Sequence, residues 1–349
     1  MIEILREAGL PAGTRIVERS PLDHQSNRLY DVWSGHRHLI LKEFLKADEH
    51  SEAPVREYRA LELLAPLDLA PRPVLLYAAQ AAAMNPFVLY EFMEGTMWDR
   101  RSAGPSDLDR LARGWLAIND VPAVGLLPSR GHGRTPRDFL EQFEAAIGAY
   151  SEWADAEFPA ARPAATLIGS ALERITGPVG LLEDLDPVLC FSRADARFAN
   201  VIERPDGRLG FVDWEDSGLR DPARDVADLM TAANQEDLVT RRQWDAFLEP
   251  YVGGRSAVDP TLDQRIRAYL WLFPMFWLSL LLRACLRRIA GGDTPHWLVN
   301  GLPVEQRLRR SLARALTGPD RDPDEALGRL AAVRFLPEAP GGGEDGTRP

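Results

Sequence analysis

From Thr14 onward, short apolar runs alternate with polar turns, the period-two habit of half-buried strands. This pattern predicts strands over Thr14 to Glu18, Asn27 to Trp33, and His38 to Phe44, then a helix from about Glu52 to Leu64. Two more strands follow at Pro73 to Tyr77 and Phe87 to Phe92. The periodicity then lengthens to that of helices. Thr135 is a good N-cap, Pro136 suits the first helical turn, and Asp138 complements the helix dipole; helices are expected to continue through Glu173. A second strand region surrounds Asp206-Gly207, a hairpin signal between the runs Asn200 to Ile202 and Leu209 to Val212. Asp221-Pro222 starts another helix. The most apolar run, Ala268 to Leu282, contains Pro274 and Ser279 and reads as a buried helix, too short to cross a bilayer comfortably.

Three polar residues stand out against this background. Asp195 lies on the loop before the hairpin, Asn200 near the hairpin's start, and Asp213 at its end. Two carboxylates and a carboxamide are thereby brought to one end of a small sheet. Oxygen ligands of this kind suit Mg²⁺, which keeps water and phosphate in its shell and rarely has an all-protein cage. The third member can orient a hydroxyl nucleophile for phosphoryl transfer. Asp and Asn are also ordinary turn residues, so the spacing alone is weak; the hairpin, the Asp-Trp-Glu run and a later Asp-Pro-x₂-Asp make it specific.

These residues resemble the aminoglycoside phosphotransferase and choline kinase group. That group reads His-Gly-Asp-x₄-Asn, Ile-Asp-Trp-Glu and Gly-Asp-Pro-x₂-Asp-Leu-Ala; here stand Arg193-Ala-Asp195 with Asn200, Val212-Asp-Trp-Glu215, and Arg220-Asp-Pro-Ala-Arg-Asp-Val-Ala227. The resemblance spans roughly Arg15 to Leu229 and departs at Arg193 and Ala194. It implies an α+β, two-lobed protein kinase-like fold: a small β-rich N-terminal lobe over residues 1–94 and a larger, mainly helical C-terminal lobe over 95–336; the tail over 337–349, made of Pro, Gly and charge, is expected from its composition to be disordered. It also implies an enzyme that uses Mg²⁺, held by Asn200 and Asp213, and ATP or GTP to phosphorylate a hydroxyl of a small molecule, such as an aminoglycoside, a choline-like amine, an amino alcohol or a sugar, with Asp195 orienting that hydroxyl and accepting its proton. The alternative is a nucleotide-binding pseudokinase or scaffold on the same fold. In the group, Asp225 braces the catalytic loop; here it is expected to pair with Arg193, the alternative being a solvent-facing aspartate.

The N-terminal half supplies the nucleotide-binding expectations. Lys42 closes the apolar run Leu39-Ile-Leu, and Glu57 shares a helix face with Leu61 and Leu64. A carboxylate on an apolar face needs a partner, and Lys42 is the natural one; the resemblance adds contact between Lys42 and the nucleotide phosphates. The alternative is two unrelated surface charges. Ser26 and Asn27 end a glycine-free loop that either covers phosphates or is a polar hairpin turn. Leu89 to Gly95 resembles the hinge between lobes, which places Glu91 and Met93 against the base. Glu215 and Asp216 can bind a cationic acceptor or be plain loop residues. Trp271, in the aromatic run Tyr269 to Trp277, belongs to an acceptor pocket or to the core of a buried helix.

Composition narrows the picture further. The 349 residues suffice for two lobes, and a 45% hydrophobic content permits a real core. A net charge of −11 argues against nucleic acid as partner and suits a cationic small molecule. The 2 cysteines form no metal spacing and no disulfide framework, which fits a reducing cytoplasm. The N-terminus lacks the form of a signal peptide, no membrane association is expected, and no Gly-x₄-Gly-Lys-Ser/Thr loop is present.

Overall fold

A computed structural model describes residues 6, 9–19, 27–45, 52–78, 85–98, 103–122, 125–130, 134–232, 235, 238–293, 297–299 and 301–337. The chain forms two compact units. The first comprises Met1–His132, Val188–Asp225 and Arg242–Arg255; the second comprises Gly133–Pro187, Val226–Arg241 and Ser256–Pro349.

The first unit is built on an antiparallel sheet of β1 (Arg15–Glu18), β2 (Asn27–Ser34), β3 (Arg37–Phe44), β4 (Pro73–Tyr77) and β5 (Phe87–Glu91) in the order β1-β2-β3-β5-β4. All five fall within a residue or so of the pattern-based expectation. Alternation gives the sheet two faces. Val32, Leu39, Leu41, Phe87 and Leu89 close one of them with Leu10. The other carries Lys42, which stands between Leu29 on β2 and Val88 on β5. Helix α1 (Ala53–Leu64) buries Ala53, Glu57, Ala60, Leu61 and Leu64, so Glu57 lies within its apolar stripe.

Within the same unit, β8 (Val201–Glu203) and β9 (Leu209–Phe211) form the expected hairpin, with Val201 opposite Phe211 and Glu203 opposite Leu209. Gly207 takes φ +80° in its turn, a conformation that side chains disfavour. A short strand β6 (Thr96–Met97) extends this sheet beside β8. Strand β7 (Cys190–Ser192) leads into the Asp195 loop and pairs with β10 (Gly218–Arg220). Beneath these lie α2 (Pro105–Asn119) and, from later in the chain, α6 (Asp245–Arg255), while α5 (Pro222–Thr231) starts in this unit and continues in the residues of the second. The Trp115 ring of α2 meets Phe211 and Phe247 edge-on. Tyr251 donates to Asn119, whose amide donates to the Phe191 carbonyl, tying α6 and α2 to β7.

The second unit is helical: α3 (Pro136–Ala156), α4 (Arg162–Asp184), α7 (Leu262–Ala290), α8 (Val304–Thr317) and α9 (Asp324–Leu330), with the small hairpin of β11 (Leu298–Val299) and β12 (Leu302–Pro303). Helix α3 opens on the expected capping box. The Thr135 hydroxyl accepts from the Asp138 amide, and the Thr135 amide donates to the Asp138 carboxylate at 2.7 Å. Helix α7 is long and apolar enough to cross a membrane by length and composition, yet most of it is buried among its neighbours, as in the core helix of a soluble protein. Its aromatic run packs inward: Phe276 meets Phe139 and Phe273 edge-on.

Candidate functional site

The centre of the site is an ion cluster around Lys42. Its ammonium lies 3.0 Å from Glu57, 2.5 Å from Asp213 and 3.1 Å from Glu215. Lys42 and Glu57 are both almost wholly buried, and the Trp214 amide donates to the same Glu57 oxygen at 2.8 Å. The expectation from the helix face is met: Glu57 has its cation and a backbone donor besides. Burial pulls the Lys42 ammonium down, but Asp213, Glu57 and Glu215 together raise it well above the ordinary lysine value. Burial pushes the Glu57 carboxyl up, to about 7, against the pull of Lys42.

Asp195 and Asn200 stand on the loop before the hairpin. The Asn200 amide donates to Asp195 Oδ2 at 3.0 Å, which leaves its carbonyl oxygen as the atom to offer a cation. Arg197 Nε lies 2.7 Å from Asp195 Oδ1. Burial raises the Asp195 carboxyl above its ordinary value, with Arg197 pulling the other way. Asp213 sits at φ +66°, an uncommon left-handed conformation that turns the chain directly after β9. Burial pushes its carboxyl up, but Lys42, Arg193 and Arg197 overcome this and hold it below the usual value. The Val212 amide donates to the Asn200 carbonyl, which ties Asn200 to the residue just before Asp213. Among the described residues no three His, Cys, Asp or Glu side chains are grouped to cage a metal. One carboxylate and one carboxamide oxygen fit Mg²⁺, which takes only one or two protein ligands beside phosphate oxygens.

Arg193 corrects the expectation made for it. Its partner is not Asp225. Its guanidinium donates to the Val212 carbonyl at 2.8 Å and the Asn200 carbonyl at 3.5 Å, and lies over the rings of Trp214, Phe211 and Trp115 at 4.6, 5.1 and 5.6 Å. This enclosure lowers its pKa to about 10, with Asp195 and Asp213 opposing. Asp225 is taken instead by Arg220 at 3.1 Å, by the Ser192 hydroxyl and by the Ala194 amide. The buried aspartate therefore does brace the Asp195 loop directly, at the Ala194 amide, and Arg220, which stands where the resembled group has glycine, adds a second link from Asp225 to the Ala194 carbonyl.

Ala194 stands where that group has glycine, and its φ is +62°. Left-handed alanine costs about 1 kcal/mol relative to glycine; the loop is held in place by Asp225 on the Ala194 amide and Arg220 on its carbonyl. Ala194→Gly is expected to stabilise the fold by about 1 kcal/mol, read as a higher urea midpoint; an unchanged or lower midpoint would contradict the strain.

The remaining expected residues divide. Asn27 donates to Glu215 at 2.5 Å, which places Glu215 in the Lys42 cluster rather than on a separate acceptor surface. Asp216 pairs with Arg130 at 3.2 Å. The Glu91 carboxylate turns to Arg37 at 3.4 Å. Met93 packs its sulfur on Gly210, where even a Cβ would clash. Trp271 belongs to the second unit and packs against Gly318. Ser26 lies outside the described residues. Arg197 is absent from the residues expected at the site, although its position two residues after Asp195 is a usable signal.

A family model described as the phosphotransferase enzyme family matches residues 18–269. The chain belongs to that family. The solved structures agree on a kinase-like fold. The choline kinase LicA from Streptococcus pneumoniae shares 20% identity, with 90% of this chain and 99% of that chain covered at a TM-score of 0.54. A putative aminoglycoside phosphotransferase from Ralstonia eutropha shares 17%, covering 94% of this chain and 97% of that one at 0.55. The macrolide 2′-phosphotransferase MphH from Brachybacterium faecium shares 17%, covering 92% and 99% at 0.53. No curated protein matches the chain.

Proposed function

We propose that this phosphotransferase moves the γ-phosphoryl group of ATP or GTP to a hydroxyl of a small molecule. The observation that carries the reading is the joining of Lys42, Glu57 and Asp213 beside the bonded pair Asp195 and Asn200. Residues 1–94 would hold the nucleotide and residues 95–336 the catalytic groups and acceptor. Lys42, fixed by Glu57, sets the phosphates. Asp195 orients the acceptor hydroxyl and takes its proton. Asn200 and Asp213 would hold Mg²⁺, which when bound neutralises phosphate charge. Catalysis is then mainly positioning and electrostatics.

The acceptor is proposed to be cationic. The chain's net charge of −11 favours it, and choline kinase and aminoglycoside phosphotransferase structures share the fold. The test is consumption of Mg-ATP and Mg-GTP over a panel of choline, ethanolamine, aminoglycosides, macrolides and sugars, with thermal shift beside it, since a ligand of the native state raises its stability. One acceptor class is expected to turn over, and Asp213→Ala is expected to lose both turnover and magnesium-dependent nucleotide binding. Nucleotide binding with no turnover on any acceptor would favour a nucleotide-binding scaffold instead.

A further inference from the structure

A phosphoryl group in flight carries charge on its oxygens, and a site that transfers it needs cations facing that charge. Three cationic side chains act on the carboxylates of Asp195 and Asp213: Lys42, Arg193 and Arg197. The three N–H groups of Lys42 are matched by three carboxylates, those of Glu57, Asp213 and Glu215. Arg193 is 1% exposed and held under a roof of aromatic rings, its Nη2 donating to main-chain carbonyls. Arg197 differs from both. Its side chain is 52% exposed, and its Nε stands 2.7 Å from Asp195 Oδ1. The backbone fixes where it starts, because the Arg197 amide bonds the Asp195 carbonyl and the Arg197 carbonyl accepts from the Asn200 amide.

Resting on the transfer reading above, we infer that Arg197 is a further catalytic residue: a guanidinium that grips the transferred phosphoryl group and, in doing so, releases Asp195 to the acceptor. In the resting site both Asp195 oxygens are bonded, one to Arg197 and one to Asn200. An arriving phosphoryl group offers the fork a stronger, bidentate anion. When the fork turns to it, Asp195 Oδ1 is free to take the acceptor's hydroxyl hydrogen. The acceptor oxygen then bonds to phosphorus as its proton passes to Asp195. The bond from the γ-phosphorus to the bridging oxygen breaks, and its electron pair leaves with the nucleoside diphosphate. Arg197 makes and breaks no covalent bond.

The test needs no knowledge of the acceptor. Mg-ADP with aluminium fluoride mimics the phosphoryl group in transfer, and its affinity is compared with that of Mg-ADP alone by calorimetry. Arg197→Ala is expected to bind Mg-ADP as the parent does but to lose the fluoride-dependent tightening by about 10²-fold; Arg197→Lys should keep part of it. Tightening retained in full by Arg197→Ala overturns the proposal, as does an equal loss for both ligands, which marks a structural role. Should the parent itself show no tightening, single-turnover hydrolysis of Mg-ATP decides: equal rates in parent and Arg197→Ala overturn the assignment. A parent that binds no Mg-nucleotide at all sinks the transfer reading and this inference with it, an outcome distinct from the others.

Discussion

Asp195→Asn should bind Mg-ADP as the parent does and lose about 10³-fold in kcat, the middle of the range for removing a positioned general base. The substitution keeps shape and hydrogen-bonding size. It replaces one carboxylate oxygen with an NH₂ group, which cannot accept the acceptor's proton. It also faces the amide at Asn200 Nδ2 or the guanidinium at Arg197 Nε with a donor where each now finds an acceptor. The loss therefore belongs in kcat, with the nucleotide KM nearly unchanged. The measurement is steady-state kinetics with whichever acceptor the panel identifies, beside calorimetry of Mg-ADP. Turnover at the parental rate would remove Asp195 from the mechanism. A matching loss of Mg-ADP affinity would show that it belongs to the nucleotide site instead.

Lys42→Met should destabilise the protein by about 3–5 kcal/mol at pH 8, the range for removing one partner of a buried ion pair. The ammonium is the shared counter-charge of Glu57, Asp213 and Glu215. Asp213 and Glu215 can turn to water; Glu57, 1% exposed, cannot. The pH dependence follows from Glu57. Its folded carboxyl is raised from 4.5 to about 7, chiefly by burial. A raised folded pKa contributes stability that is fully present below the unfolded value and is lost as pH rises through the folded one. Without Lys42 the folded value rises further, so the loss continues to higher pH. The variant's deficit against the parent should thus be smaller at pH 6 than at pH 8, read from urea unfolding at both. Equal deficits at the two pH values would mean that Glu57 is not the group left stranded.

Much of the first unit was legible because its signals are local. Strands β1 to β5 follow period-two alternation, and the β8–β9 turn follows Asp206-Gly207. In the second unit, the α3 start likewise follows Thr135, Pro136 and Asp138 within one helical turn. Even the Lys42–Glu57 pair could be read, since a carboxylate amid Ala60, Leu61 and Leu64 has few ways to be satisfied. The errors concern long cationic side chains. Arg193 and Arg220 both lie near Asp225, and the resemblance favoured Arg193. The fold gives Asp225 to Arg220, because β10 pairs with β7 and sets Arg220 opposite Cys190. Arg193 turns the other way, to the Val212 carbonyl and a surround of rings drawn from α2, β9 and the turn after it.

Glu215 shows the same limit. Beside Asp216 in sequence it looked like an acceptor-facing loop residue. The left-handed turn at Asp213 swings it toward Lys42 and Asn27, while Asp216 goes to Arg130. The chain's own order of residues determined the elements, their turns, and which carboxylates stand on a loop or in an apolar stripe, because backbone preference and side-chain periodicity act over a few neighbours. Which cation meets which carboxylate was decided only in three dimensions. Arginine and lysine stems reach several ångströms, so the choice among nearby anions depends on how strands cross and on where rings exclude water, and neither is written in a window of sequence.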